Sequence, residues 1–245
     1  MRYLILSDMH GNKQALDAVL EDAATLGYDA ALVLGDLVGY GADPAAVIDA
    51  TMALEPAAMI RGNHDKVCAG LEPATLFNDI ARHSIEWTAT VLSPDHLRLL
   101  ADLPMGPALV IEGLEICHGT PFDEDYYVFD PDDARRAIDA AQGRICLYGH
   151  THVPAIYAIG DIPKPRRADV ADDEVELPSE GAVLLNAGSV GQPRDGDPRA
   201  AYGILDLDRN VIRMRRVSYD IAEAQKRIRA AGLPPALAAR LERGQ

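Results

Sequence analysis

At 245 residues, with 48% hydrophobic and 25% charged side chains, the chain has material for a sizeable core in one large domain or two small ones, and a single domain over residues 1–245 is the expectation. No apolar run approaches the roughly 18 residues that span a membrane, and Met1 to Leu6 gives way to Ser7-Asp8 where a signal peptide would continue, so no membrane partner and a cytoplasmic location are expected. A net charge of −15 argues against a long nucleic-acid partner, whose phosphates would be repelled.

The first half reads as strand-loop-helix units. Tyr3 to Leu6 is an apolar strand ending at Ser7-Asp8, and Asn12 to about Leu26 carries Leu16, Val19, Leu20 and Ala23 at helical spacing, with Gly27 as a stop. Ala30 to Leu34 is a second strand ending at Gly35-Asp36. Pro44 starts a helix that continues to Leu54, and Ala57 to Ile60 is a third strand ending at Arg61-Gly62-Asn63-His64. Helical patterns follow over Thr75 to Leu92 and Pro94 to Leu103. The composition then turns β-rich: Ala108-Ile111, Leu114-Cys117, Ile145-Tyr148, Ala155-Ile159, Ala182-Leu185, Tyr202-Leu205 and Val211-Val217 read as strands, with a helix from about Asp132 to Ala141. Gly160 to Gly181 is polar and proline-containing, a surface loop or hairpin excursion, and helices around Ile221-Ala231 and Pro235-Glu242 close the chain. Arg213, Arg215 and Arg216 read as the wet face of the last strand. Cys68, Cys117 and Cys146 form no C-x-x-C pair and read as small buried hydrophobes.

Five of the seven histidines sit in short motifs with Asp or Asn: Asp8-Met9-His10, Gly35-Asp36, Gly62-Asn63-His64-Asp65, His118-Gly119 and Gly149-His150-Thr151-His152. Each follows an apolar strand, where α/β folds place their ligands. Neutral imidazole, carboxylate and carboxamide oxygen suit divalent transition metals; imidazole-rich ligation favours Mn, Fe, Zn, Ni or Co over Mg or Ca. An Asp-x-His alone arises by chance in roughly a quarter of chains this long, so the ordered set carries the argument rather than any one piece. A bridging ligand must touch both ions, and Asp36, on a tight turn after Gly35, suits that role. His83 and His96 lie outside the motifs, in helical patterns, and read as surface or packing residues.

The ordered set resembles the calcineurin-like metallophosphoesterase superfamily, whose order is D-x-H, G-D, G-N-H-[DE], a lone H and G-H-x-H. The resemblance covers Asp8 to His152 with every ligand position filled. It implies an α/β fold, a four-layer α-β-β-α sandwich of two mixed sheets with metals at the carboxyl ends of the strands. It also implies two divalent metals, one held by Asp8, His10, Asp36 and His152, the other by Asp36, Asn63, His118 and His150. Hydroxide bridging the pair would attack phosphorus, and His64 would assist the departing oxygen, with Asp65 available to orient its ring.

Four residues are candidate substrate contacts. Asn12 opens the first helix, whose amides could face a phosphate or which Asn12 simply caps. Arg61 can reach a phosphoryl oxygen or form an ordinary salt bridge. Arg194 lies in a turn-forming segment, as a phosphate contact or a surface charge. Tyr40 stands where the protein serine/threonine phosphatases of the superfamily carry a phosphate-binding arginine, and Asp65 where they carry glutamate. Both departures point to the small prokaryotic phosphodiesterase-like branch and to a small phosphodiester, phosphomonoester or nucleotide-type substrate. The aromatics after His118, in Phe122 to Tyr127, could stack on a flat group or tuck inward. A nuclease, a protein phosphatase and a non-catalytic interaction scaffold on the same fold are the alternative readings.

Overall fold

Successive side chains of the first strand leave on opposite faces, and here both faces are apolar: Tyr3 and Ile5 join one buried cluster, Leu4 and Leu6 another. That two-sided burial organises the molecule. The computed structural model describes residues 1–159, 166–167 and 174–245. Its first half runs β1 (Arg2–Leu6), α1 (Lys13–Leu26), β2 (Ala30–Val33), α2 (Pro44–Met52), β3 (Ala58–Met59), α3 (Asn63–Cys68), α4 (Asp79–Val91) and α5 (Pro94–Asp102). The chain continues with β4 (Ala108–Ile111), β5 (Leu114–Ile116), α6 (Pro131–Ala140), β6 (Ile145–Leu147), β7 (Ala155–Ile159), β8 (Arg166–Arg167) and β9 (Glu174–Glu176). It ends with β10 (Ala182–Asn186), β11 (Ala200–Asp206), β12 (Val211–Val217), α7 (Ile221–Ala230) and α8 (Pro235–Leu241).

The strands form two mixed sheets, ordered β3-β2-β1-β11-β12-β9 and β4-β5-β6-β10-β7-β8. Within the first, β1, β2 and β3 run parallel; within the second, β5, β6 and β10 do. Tyr3, Ile5, Leu32 and Leu205 of one sheet meet Ile116, Ile145, Leu147, Val183 and Leu185 of the other in one buried cluster, so the sheets pack face to face. The outer face of the first sheet (Leu4, Leu6, Ala31, Val33) is covered by Leu16 and Val19 of α1 and by Val47 and Ile48 of α2. Ala134, Ala137 and Ile138 of α6 cover Cys146 and Leu184 of the second sheet. Helices therefore flank a pair of sheets, as expected. Helices α7 and α8 pack together, burying Ala224, Ile228, Leu237 and Leu241 in a cluster that also holds Tyr40.

Four features differ from the sequence reading. The helix expected over Thr75 to Leu92 is broken: a short 3₁₀ turn at Ala74–Leu76 precedes α4, whose start Asn78 sets by accepting from the Ala81 N–H at 3.0 Å. Helix α3, six residues long, gives too short a window for periodicity to register. Of the 160–181 excursion, residues 160–165 and 168–173 lie outside the described residues; β8 is paired with β7, and β9 with β12. The basic face of β12 is ion-paired rather than merely wet, Arg213 with Glu174, Arg215 with Asp22 and Arg216 with Asp195. No helix among the described residues is long and apolar enough to cross a membrane.

Candidate metal centre

The parallel strands of both sheets deliver their following loops to one place. Loops after β1, β2 and β3 carry Asp8 and His10, Asp36, and Asn63; loops after β5 and β6 carry His118, and His150 with His152. Asp8, His10, Asp36 and His152 place one donor atom each within 4.8 Å of one another, and Asp36 does the same with His118 and His150. Asn63 joins the second group, its Oδ1 being 3.3 Å from His118 Nε2. Asp36 Oδ2 is 3.4 Å from both His10 Nε2 and His118 Nε2 and is thus common to the two groups. All seven sequence-predicted ligand positions are brought together.

Backbone strain is concentrated here. Among the described residues eight that are not glycine have positive φ, and six of them are Asp8, His10, Asp36, Tyr40, His150 and His152. The left-handed region costs a side-chain-bearing residue on the order of 1–2 kcal/mol, and tertiary contacts must hold each one there. Two glycines permit the close approach. A Cβ on Gly62 would lie 2.1 Å from Asp36 Oδ1, and one on Gly39 would lie 2.3 Å from His64 Nδ1.

The donor set fits divalent transition metals, as the ring orientations show. Nδ1 of His10, His118 and His152 lies 2.9, 2.7 and 2.6 Å from the carbonyls of Val38, Leu34 and Gln192. A carbonyl only accepts, so each bonded nitrogen carries the proton and each Nε2 presents its lone pair to the centre. His150 is turned the other way: Nε2 donates to the Asp125 carbonyl at 3.0 Å, leaving Nδ1 as the donor atom. His10 and His152 then aim two lone pairs at each other across 3.1 Å, which a cation would satisfy. Such outer hydrogen bonds are what fix metal-ligating imidazoles. Ser7 supports Asp8 in the same way, donating from Oγ to Oδ2 at 2.6 Å.

The electrostatics agree. Burial lowers His10 and His152 well below the usual imidazole range, His64 to about 4 and His150 to about 3, leaving these rings neutral. Burial also pushes Asp8 up to about 6. His118 is the exception: burial alone would lower it, but the Asp36 carboxylate raises it to about 10. Without a metal His118 Nε2 therefore carries a proton toward Asp36, and a dication bound there would displace it to reach the lone pair.

Asp65 does not orient the His64 ring, contrary to the sequence expectation. Its carboxylate accepts from the N–H groups of Asp36 (2.8 Å), Leu37 (2.9 Å), Val38 (3.3 Å) and Gly62 (2.9 Å), pinning the Asp36 turn to the start of α3. Four amide donors saturate the carboxylate. The His64 ring is held by packing instead, its centre 4.5 Å from Tyr40, 4.6 Å from Phe77 and 4.8 Å from His10, and its Nδ1 is buried without a hydrogen-bond partner.

The remaining candidates divide. Asn12 caps α1, accepting from the Ala15 N–H, and donates to the Gly191 carbonyl at 2.8 Å. Arg61 forms the salt bridge, a bidentate pair with Glu124 at 3.1 and 3.2 Å. Arg194 stays at the site: its backbone N–H donates to the His152 carbonyl, and its guanidinium lies 5.7 Å from the Tyr40 ring centre. Tyr127 lies 3.8 Å, ring centre to ring centre, from His150. His96 pairs with Asp49 and His83 is exposed, both away from the centre.

Three residues carry no sequence signal of their own. Phe77 and Lys66 join Tyr127, Asn63 and His150 in lining a cleft of about 250 Å³. Lys66, buried, ties together Glu72, Glu124 and Asp125 at 3.2, 3.0 and 2.6 Å, so the acidic loop after His118 is anchored from below. Arg240, from α8, lies 5.9 Å from the Tyr40 ring centre.

Residues 1–210 match the model of the calcineurin-like phosphoesterase superfamily domain. An uncharacterised protein of Methanocaldococcus jannaschii is 33% identical over 245 residues, covering 98% of this chain and 97% of its own. The Escherichia coli phosphodiesterase YfcE is 26% identical over 217 residues, 85% of this chain and 89% of its own. Among solved structures, a metallophosphoesterase from Sphaerobacter thermophilus is similar with a TM-score of 0.88 at 36% identity, over 100% of both chains. A hypothetical protein from Pyrococcus horikoshii shares the fold, with a TM-score of 0.81 at 19% identity over 100% of this chain and 98% of its own.

Proposed function

The chain belongs to the calcineurin-like phosphoesterase superfamily and is a hydrolase of phosphoester bonds; from that premise we propose that it acts on a small phosphodiester, phosphomonoester or nucleotide-type substrate with two divalent transition-metal ions. Asp8, His10, Asp36 and His152 would hold one ion, and Asp36, Asn63, His118 and His150 the other. The observation that carries this reading is the pair of donor groups sharing one carboxylate, Asp36. When bound, two such ions polarise a phosphoryl oxygen and acidify water at neutral pH.

The chain's own groups do the rest. Asp65 keeps the Asp36 turn and the Asn63 turn in register by their backbone amides, so the shared ligand and a ligand of the second group move together. His64 Nδ1 is shut in against Gly39, which leaves Nε2 to hold the proton for the departing oxygen. Arg194, whose charge is felt at His10, His64 and His152, faces the anionic end of the substrate. The cleft beside Asn63 and His150, walled by Val67, Phe77 and Tyr127, receives the organic group.

The test is turnover of mono- and bis-p-nitrophenyl phosphate by protein loaded with Mn²⁺. Hydrolysis that disappears on Asp36→Asn supports the enzyme; no turnover with Mn, Fe, Zn, Ni or Co would favour a non-catalytic scaffold instead.

A further inference from the structure

Tyr40 carries a guanidinium at two places around its ring, Arg194 at 5.7 Å and Arg240 at 5.9 Å from the ring centre. The chain holds 38 acidic side chains against 23 basic ones, and its other site-proximal cations are neutralised: Arg61 by Glu124, and Lys66 by Glu72, Glu124 and Asp125. Among the described residues neither Arg194 nor Arg240 has a carboxylate partner. Among the described residues Arg194 meets only neutral groups, Tyr40 Oη at 3.5 Å, Gln192 Oε1 at 3.0 Å and the Tyr127 hydroxyl, and its Nε is buried without a hydrogen-bond partner. Arg240 is half-buried, and both its burial and the nearby Arg194 disfavour its charge.

Two like charges held beside one ring, with donors unsatisfied, cost free energy unless something anionic completes them. The place is fixed by rigid parts. Tyr40 lies 4.7 Å from the His10 ring and 4.5 Å from the His64 ring, ring centre to ring centre. Arg194 is tied through its backbone to His152. Arg240 is delivered by α8, whose Leu237, Ala238 and Leu241 are buried in the cluster that includes Tyr40. The last two helices thus bring a cation to the mouth of the metal centre, beyond the stretch, residues 1–210, that matches the family.

Resting on the phosphoester-hydrolase reading above, we propose that Arg194 and Arg240 form a second anion subsite across Tyr40 and that the substrate carries a second phosphate next to the one hydrolysed. The planar fork of each guanidinium matches the oxygens of a tetrahedral phosphate. The neighbouring cleft, lined by Phe77 and Tyr127 and by acidic residues bound to Lys66, takes the uncharged organic end.

The test compares AMP and ADP, which differ by one phosphate, as ligands of manganese-loaded wild type, Arg240→Gln and Arg98→Gln, with Mn²⁺ in fixed excess. Against bis-p-nitrophenyl phosphate, ADP should inhibit about tenfold more strongly than AMP in wild type and in Arg98→Gln, and with near-equal strength in Arg240→Gln. The same order should appear in thermal stabilisation by the two nucleotides, a readout that needs no turnover. If Arg240→Gln does not fold, Arg240→Met, which keeps the apolar stem, serves in its place. Equal strengths in wild type, or an ADP preference that survives loss of Arg240, overturns the proposal. Absence of any metal-dependent phosphoester turnover overturns the function proposed above, while the stabilisation order still decides the role of the arginines.

Discussion

The Nε2 atoms of His10 and His152 face each other at 3.1 Å while each ring's Nδ1 proton is committed to a backbone carbonyl. Folding and metal binding are therefore linked, because the ion relieves a lone-pair repulsion built into the fold. Mn²⁺ at a hundredfold over its Kd should add about 2.7 kcal/mol, raising Tm by roughly 5–10 °C in a chain of this size. Chelation by EDTA should remove the gain. Melting curves that coincide with and without metal would count decisively against the centre.

Asp65→Asn replaces an acceptor of four amide bonds by a group with one acceptor atom and two donors. Unfolding in urea should show a loss of about 2–4 kcal/mol. Metal affinity or turnover should fall by roughly 10–100-fold as the Asp36 and Asn63 turns lose register. A wild-type unfolding midpoint would remove Asp65 from the framework of the site.

The His64 ring is packed by Tyr40, Phe77 and His10, and among the described residues its Nδ1 has no hydrogen-bond partner. His64→Gln should lower kcat by about 10²–10⁴ while titration calorimetry gives metal binding like that of wild type. A large fall in metal affinity would reassign His64 as a ligand.

Tyr127 closes the organic side of the cleft, its ring 3.8 Å from that of His150. Tyr127→Ala should lower kcat/KM for bis-p-nitrophenyl phosphate about tenfold more than for methyl p-nitrophenyl phosphate, which lacks the second ring. Equal losses on the two esters would place the ring's role elsewhere.

Asp22 lies on α1 and receives Arg215 at 3.0 Å and the Tyr202 hydroxyl at 2.7 Å. Burial alone would raise its pKa, but these partners hold the carboxyl below the usual range. A depressed folded pKa means stability present above the unfolded value and lost as pH falls through the folded one. Asp22→Asn should lower Tm by about 2–4 °C at neutral pH, for a loss on the order of 1 kcal/mol. The gap to wild type should close below about pH 4; a gap independent of pH would mean the contact acts by packing alone.

Much of the centre is legible along the chain because its information is local. A ligand type placed just after an apolar strand needs only a few residues to write, and β1, β2, β5 and β6 each carry one. The unbroken apolar run of β1 is legible for the same reason; that both its faces are buried is a finding of the structure. Asp65 stands within the metal motif, yet three of its four amide partners lie 27 to 29 residues away, so its role as a clamp rather than a ring orienter follows from loop packing. Arg61 and Arg194 look alike in sequence; Glu124 claims the first, and among the described residues no carboxylate claims the second.

Residue chemistry and order along the chain thus determined the cluster of candidate donors, the strand-end placement and the family, since these depend on side-chain type and on spacing within single turns. Only the tertiary structure decided the left-handed turns that aim the donors, the tautomer each imidazole presents, and the arrival of Arg240 from the far end of the chain. Those depend on contacts between segments up to about 200 residues apart, Tyr40 and Arg240 being one pair, and no local pattern encodes which distant groups will meet when the two sheets and their helices close on a common core.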